Sequence, residues 1–179
     1  VALGAEATFV ARAIDSDRKH LTEVLRATAA HEGSALVEIY QNCNIFNDGA
    51  FEPLKENDVR EDHLIRLEHG QPIIFGNNHE KCVIRDSDGH LQVVNVEDVD
   101  QSEVIIFDSH AKDPGLAFGL SRLYNPRTLT NTPIGIFRDV THREAYDRMA
   151  QQQIADVIES EGPGDLRSLL HGSDTWTIN

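Results

Sequence analysis

Two thiols, nine imidazoles and thirty carboxylates are the groups through which this chain of 179 residues could do chemistry. Cys43 and Cys82 are the softest of them. Two thiols at this separation could form a disulfide, sit as small apolar core residues, or complete a metal or cluster site whose other ligands lie elsewhere. Their surroundings differ. Cys43 falls in the polar, turn-rich run Gln41-Asn42-Cys43-Asn44-Ile45-Phe46-Asn47-Asp48-Gly49, where a thiol can face a ligand. Cys82 falls inside Lys81-Cys82-Val83-Ile84-Arg85, which reads as a strand, and is expected to be structural.

The histidines give no metal motif. His63 and His69, or His79 and His90, lack the i, i+4 spacing that puts two imidazoles on one helix face. Acidic pairs such as Asp86/Asp88 and Asp98/Asp100 read as solvated turns. Gly162-Pro163-Gly164 lacks the Lys and helix of a phosphate-cradling loop. No Gly-x-Ser-x-Gly elbow occurs, and no residue stands out as a catalytic acid, base or nucleophile. Lys19 is unusual in its setting. It lies in the first turn of a helix, where a cation opposes the dipole; a polyanionic ligand would compensate, and an ordinary surface lysine is the plainer reading.

The elements that must position these groups follow from periodicity. Ala7-Thr8-Phe9-Val10-Ala11 is a short buried-strand pattern. Asp15-Ser16-Asp17 offers helix N-cap chemistry, and Leu21, Val24, Leu25 and Thr28 follow at helical spacing toward Gly33, a candidate left-handed C-cap. Ala35–Tyr40 is the next strand. A strand, a helix and a strand imply a parallel pair, and the Cys43 loop then leaves the carboxyl end of the second strand, where α/β folds place their sites.

The middle third changes character. Short strand candidates at 64–67, 73–75, 81–85, 91–94 and 104–107 are broken by turns, among them the hairpin signal Asp88-Gly89. They predict an appended, mostly antiparallel element. Asp113-Pro114 opens a helix with Leu116, Leu120, Leu123 and Tyr124 on one face. Ile134–Phe137 is a strand candidate. Tyr146, Met149, Ala150, Gln153, Ile154 and Val157 mark an amphipathic helix, and Leu166, Leu169 and Leu170 a short last one. The apolar stripes of the helices around Leu116 to Tyr124 and Tyr146 to Val157 are expected to pack on the chain's own sheet; docking onto a partner is the alternative.

Charge narrows the function classes. Sixteen basic against thirty acidic side chains leave a net charge of −14. That argues against binding nucleic acid, which needs cations to displace counterions, and against an anionic membrane surface. No apolar stretch reaches the ~20 residues of a spanning helix. The chain opens on Val1, with its single Met at Met149.

The runs Gly4–Arg12, Asp17-Arg18-Lys19-His20-Leu21 and Ala35–Gly49 resemble the β subunit of 2-oxoacid:ferredoxin oxidoreductases, in the second half of its thiamine-diphosphate-binding domain. Leu64–Pro72 resembles the start of that family's C-terminal extension. Asp113-Pro114, Leu116-Ala117-Phe118, Leu120–Leu123 and the tail Leu169–Thr177 resemble the longer extension of actinobacterial 2-oxoglutarate-type members. The resemblance implies an α/β fold: residues 1–60 as the C-terminal half of a three-layer thiamine-diphosphate-binding domain, and residues 61–179 as a mixed, partly antiparallel extension.

It also implies the chemistry. A 2-oxoacid, 2-oxoglutarate foremost, is decarboxylated with thiamine diphosphate and Mg²⁺. Electrons leave through a [4Fe–4S] cluster to ferredoxin, and the acyl group passes to coenzyme A. Cys43 matches the family's fourth cluster ligand, although Asn44 stands where Pro often follows. Lys19 matches a basic position presented toward coenzyme A. An α subunit and a cytoplasmic setting are implied as well. The family's Gly-Asp-Gly-Asp motif and its other cluster cysteines are absent from these 179 residues. The expectation is therefore a C-terminal part of a β subunit, left by truncation or proteolysis, which alone binds no cofactor and does not turn over. Two other readings stay open: a non-catalytic interaction module, and a small metal-dependent hydrolase using scattered His and Asp.

Overall fold

The computed structural model describes every residue except 57, 142, 175, 177 and 179. Thr175 and Thr177 of the resembling tail therefore lie outside the described residues. The chain forms two compact units, Val1–Arg143 and Glu144–Asn179.

The first unit begins with β1 (Phe9–Ile14), α1 (Arg18–Ala30) and β2 (Ala35–Tyr40). β1 and β2 are parallel, with Phe9 opposite Ala35 and Ile14 opposite Tyr40. β1 starts and ends later than the run Ala7–Ala11 suggests, because Arg12 interrupts the apolar pattern yet lies buried within the strand. Its register explains this: Arg12 sits directly opposite Glu38.

α1 is capped by Asp17, which accepts the His20 N–H. Val24 faces the core, whereas Leu25 turns to solvent. The helix does not end at Gly33. It stops at Ala30, and the extended His31 sends its N–H back to the Ala27 and Thr28 carbonyls. The His31 ring is buried between Thr8 (2.9 Å) and Asp139 (2.8 Å), which fixes the stop. Gly33, at φ +137, only turns the chain into β2.

A short helix α2 (Arg60–His63) leads into β3 (Leu64–Leu67). There follow β4 (Ile74–Phe75), β5 (Lys81–Arg85) and β6 (Leu91–Asn95). These last three form the antiparallel element in the order β4-β5-β6, with Gly89 at φ +87 in the β5–β6 turn. The segment at 104–107 contributes only single bridges to it, Val104 to Ile84 and Ile106 to Pro72. After α3 (Gly115–Ser121) comes β7 (Thr132–Asp139).

β3 does not join the antiparallel element. It pairs parallel to β7, so the first sheet is mixed and runs β2-β1-β7-β3. Leu64, Ile65 and Leu67 are all buried, so β3, although last in the order, is covered on both faces. Two strands before residue 61 and two after it thus share one sheet. Gly135 allows the β3–β7 approach: at φ +114, a Cβ there would stand 2.8 Å from the Leu67 carbonyl oxygen.

Side chains alternate across the sheet. Phe9, Ala11 and Ala13 pack with Val24 of α1, while Val10 joins Phe137, Leu120 of α3, and Phe75 and Val83 of the antiparallel element. A third cluster, Ile14, Leu54, Leu64, Leu129 and Ile134, closes the sheet end from which β1 exits.

The second unit contains α4 (Tyr146–Glu161) and α5 (Leu166–His171). Gly162 ends α4 at φ +84, and Asp165 caps α5 by accepting from the Arg167 and Ser168 N–H groups. Neither helix has a buried residue. The stripe through Tyr146, Ile154 and Val157 finds no cover within this unit. No helix among the described residues is long and apolar enough to cross a membrane.

Candidate functional site

The start of α1 and the Cys43 loop follow the carboxyl ends of the neighbouring parallel strands β1 and β2. The Asp15 N–H donates to the Tyr40 carbonyl at 3.0 Å and ties these exits together. Both residues singled out by sequence therefore lie at one end of the sheet, beyond adjacent parallel strands.

The Cys43 loop is held by amide side chains. Asn42 Nδ2 donates to Asn44 Oδ1 and Asp48 Oδ1, both at 2.9 Å, and its Oδ1 accepts the Gly49 N–H at 2.9 Å. The Asn47 N–H donates to the Cys43 carbonyl at 2.9 Å, and Asn47 Nδ2 donates to the Gln41 carbonyl at 3.3 Å. Cys43 is partly exposed and unpaired. The Ile45 N–H, and then those of Phe46 and Asn47, lower its thiol pKa by hydrogen bonding to the sulfur. Ile45 and Phe46 point outward, with Phe46 89 % exposed. The loop presents a thiol inclined to ionise, flanked by uncovered apolar side chains.

Cys82 is its opposite. It is fully buried in β5, and burial raises its pKa. It is free, as is Cys43, so no disulfide joins them.

Lys19 is exposed and borders a cavity of about 440 Å³ between α1, β3 and β7. His20, Arg66, His69 and Ser109 share that wall, as do Asp17, Glu23 and Glu68. Two permanent cations face three carboxylates. An anion here would rely on the Lys19 ammonium and the free N–H groups of the helix start, not on a positive field. Burial lowers the pKa of His20, and its Nδ1 is buried without a partner. Cys43 does not border this cavity.

Sequence reasoning missed two features. One is the Asn42 clasp, which leaves no signal beyond an Asn-rich loop. The other is Arg12, whose pairing with Glu38 follows from aligning the two strands residue by residue. His69 pairs with Asp108 at 3.2 Å and packs on His110 at 4.4 Å between ring centroids. Among the described residues, however, no group of three or more His, Cys, Asp or Glu side chains is placed to hold a metal ion. A cluster of four irons needs more thiolates than Cys43 alone. As one ligand of four, Cys43 fits: it is partly exposed and its thiol pKa is lowered by the loop N–H groups.

No protein-family model matches the chain. It is 49 % identical over 181 aligned residues to 2-oxoglutarate oxidoreductase subunit KorB of Mycobacterium tuberculosis. That match takes in 100 % of this chain and 48 % of the relative, so the chain spans about half the relative's length. The 2-oxoacid:ferredoxin oxidoreductase subunit beta of a Sulfolobus species is 40 % identical over 48 residues, 27 % of this chain and 16 % of that protein. Subunit beta of 2-oxoacid:ferredoxin oxidoreductase 1 from Aeropyrum pernix is 42 % identical over 48 residues, again 27 % of this chain, and 15 % of that protein.

Proposed function

The chain is a relative, over its whole length, of the β subunits of 2-oxoacid oxidoreductases, and on that premise we propose that it forms the C-terminal part of such a subunit. The observation that carries the reading is the identity of 49 % sustained across the entire chain. It therefore takes in the extension as well, whereas the archaeal matches span 48 residues each. The complete enzyme oxidatively decarboxylates a 2-oxoacid, 2-oxoglutarate by the name of the relative matched throughout. It forms acyl-coenzyme A and CO₂ and passes the electrons to ferredoxin.

Within it, residues 1–60 supply the C-terminal half of the thiamine-diphosphate domain, and residues 61–179 the extension. When bound, thiamine diphosphate with Mg²⁺ supplies the carbon chemistry and a [4Fe–4S] cluster supplies one-electron transfer. Cys43 offers one thiolate to the cluster, and the clasped loop holds it outward toward the rest of the subunit. Lys19 offers a point charge to a coenzyme A phosphate. The remaining ligands and the diphosphate site come from the part of the subunit outside this chain, which by itself is inactive.

Full-length β subunit co-expressed with its α subunit tests this. The complex is brown, absorbs near ~400 nm from sulfur-to-iron charge transfer, and reduces ferredoxin with 2-oxoglutarate and coenzyme A. Cys43→Ser makes the cluster labile. A variant cluster as stable as the parent's removes Cys43 from the ligand set.

A second reading attaches to residues 144–179. The exposed Ile154, Leu169, Leu170 and Trp176 favour a docking role for this unit, with the α subunit as the partner. Deleting residues 144–179 should then weaken co-elution of the two subunits on size exclusion, and unchanged co-elution refutes the role.

A further inference from the structure

The two edges of the first sheet are unlike. β3 ends it on one side, with Leu64, Ile65 and Leu67 buried. β2 ends it on the other, and none of its six residues is buried. Leu36 is 47 % exposed on one face of β2 and Ile39 41 % on the other. Parallel strands pair where both faces are covered, and β2 pairs parallel to β1 in unbroken register. One edge of the sheet is sealed and the other is open.

The open edge carries unpaired backbone groups. The Tyr40 carbonyl accepts the Asp15 N–H, on the side toward β1. The N–H and C=O of one residue point to the same side of a strand, and successive residues alternate. Those of Val37 and Ile39 therefore point away from β1, where no strand lies among the described residues. Free edges are ordinarily blunted by Lys, Pro or a bulge, and β2 has none of these. Its one charge, Glu38, is drawn toward β1 by Arg12, whose Nε donates to Oε2 at 2.6 Å. Three rings hold that guanidinium in place: Tyr40 at 5.1 Å, Phe137 at 5.3 Å and Tyr124 at 5.6 Å.

The uncovered surface continues into the Cys43 loop, through Ile45 at 82 % and Phe46 at 89 % exposure. A second copy of the chain is a poor cover for it. Each copy carries a net charge of −14, and two copies of one edge related by a two-fold axis pair antiparallel, which sets their Cys43 loops at opposite ends. A strand parallel to β2 does the reverse. Its carboxyl end, and the loop leaving it, lie beside Cys43, where the further thiolates of a four-iron cluster have to converge. About half of the mycobacterial relative's length falls outside its match to this chain, ample for such a strand.

We propose that the part of the β subunit outside this chain adds a strand parallel to β2 on its open edge, pairing with the backbone of Val37 and Ile39 and covering Leu36, Ile39, Ile45 and Phe46. This deepens the reading of the chain as the C-terminal part of a subunit, and rests on it.

Hydrogen exchange with single-residue resolution on the full-length β subunit in its complex tests the pairing. The Val37 and Ile39 amides are expected to exchange on the order of 100-fold or more slower than in an unstructured peptide, alongside the β1-facing amides of Leu36 and Glu38. Fast exchange at Val37 and Ile39 with slow exchange at Leu36 and Glu38 overturns the proposal. The occupant is read by p-benzoylphenylalanine placed at Leu36 or Ile39, followed by irradiation and mass spectrometry. The expected cross-links join each position to the segment preceding Val1 of the same chain, with the site reached from Ile39 lying C-terminal to that reached from Leu36. Cross-links to the α subunit, to a second β subunit or to residues 144–179, or sites in the reverse order, overturn it. The two failures are distinguishable: a colourless complex counts against the cluster reading, whereas an open edge in a brown complex counts against the added strand alone.

Discussion

Arg66 on β3 donates from Nη1 to Asp17 Oδ2 at 3.0 Å, and Asp17 is the N-cap of α1. The same guanidinium holds Glu61 through Nε at 3.1 Å and Nη2 at 2.9 Å. A strand from the extension thus clamps the start of the helix that carries Lys19 and His20. Burial opposes the Asp17 charge, but the His20 N–H and Arg66 outweigh it, so its pKa lies below the usual value. The hydrogen bond from Arg66 does the same for Glu61.

Removing the clamp should cost stability in a pH-dependent way. Arg66→Met is expected to lower the unfolding free energy at neutral pH by about 1 kcal/mol, since all three groups are partly solvated. A carboxylate with a depressed folded pKa contributes stability above its unfolded pKa and loses it as pH falls through the folded one. The parent should therefore lose more stability than the variant between roughly pH 5 and pH 3. Urea melts at several pH values check this; parallel curves for the two proteins would show the carboxylates to be uncoupled from Arg66.

His20 gives the opposite kind of titration on the same helix turn. Burial first, and Arg66 second, push its pKa below the usual value against the pull of Asp17. The folded state then favours the neutral ring. The unfolded chain takes up a proton near pH ~6.5 while the folded one does not, so stability falls as pH drops below that value. His20→Gln should flatten this part of the stability curve without changing it above pH ~7.5. An NMR titration placing the His20 midpoint at or above that of a free imidazole would rule the mechanism out.

How much of this was legible in the sequence depended on whether the cause was local. The cap at Asp17, the strand Ala35–Tyr40, the β5–β6 hairpin and the break at Gly162 follow from neighbouring residues, and all four stand. The errors have non-local causes. Gly33 looked like a cap, but the buried His31 ring, held by Thr8 and Asp139, stops the helix earlier. Leu64–Leu67 looked like part of the antiparallel element, yet pairing with β7 is decided by residues 132–135, far along the chain. At the candidate site, the positions of Cys43 and Lys19 beyond parallel strands could be inferred, whereas the Arg66 clamp and the aromatic ring around Arg12 are tertiary contacts that no spacing records.

Gly135 tests the close approach of β3 and β7. Its φ of +114 is one that L side chains rarely adopt, and a Cβ would meet the Leu67 carbonyl oxygen at 2.8 Å and Leu67 Cβ at 3.4 Å. Neither neighbour can yield, because Leu67 is paired and buried in β3. Gly135→Ala is expected to destabilise the first unit by about 2–4 kcal/mol through strain and overpacking. A thermal melt of the variant within 2 °C of the parent, on the order of a 0.5 kcal/mol effect, would show that the strands part without cost. Gly70→Ala is the control, with nothing within 4 Å of its added Cβ, although its φ of +76 still carries a backbone penalty.

The two thiols should separate cleanly in reactivity. Cys43 is exposed enough to meet a reagent, whereas Cys82 has no accessible surface. Iodoacetamide is expected to label Cys43 in the native protein and Cys82 only after denaturation, as read by mass spectrometry. The reacting species is the thiolate, so the pH dependence of the rate reports the pKa. Donation from the Ile45, Phe46 and Asn47 N–H groups moves the Cys43 midpoint below that of a free thiol. That array depends on the closed loop, and the Asn42 side chain closes it through bonds to Asn44, Asp48 and Gly49. Asn42→Ala should therefore move the midpoint upward toward the free value while the first unit stays folded. If the midpoint stays where it was, the loop is held without Asn42 and the three amides are ordered by their own backbone turns.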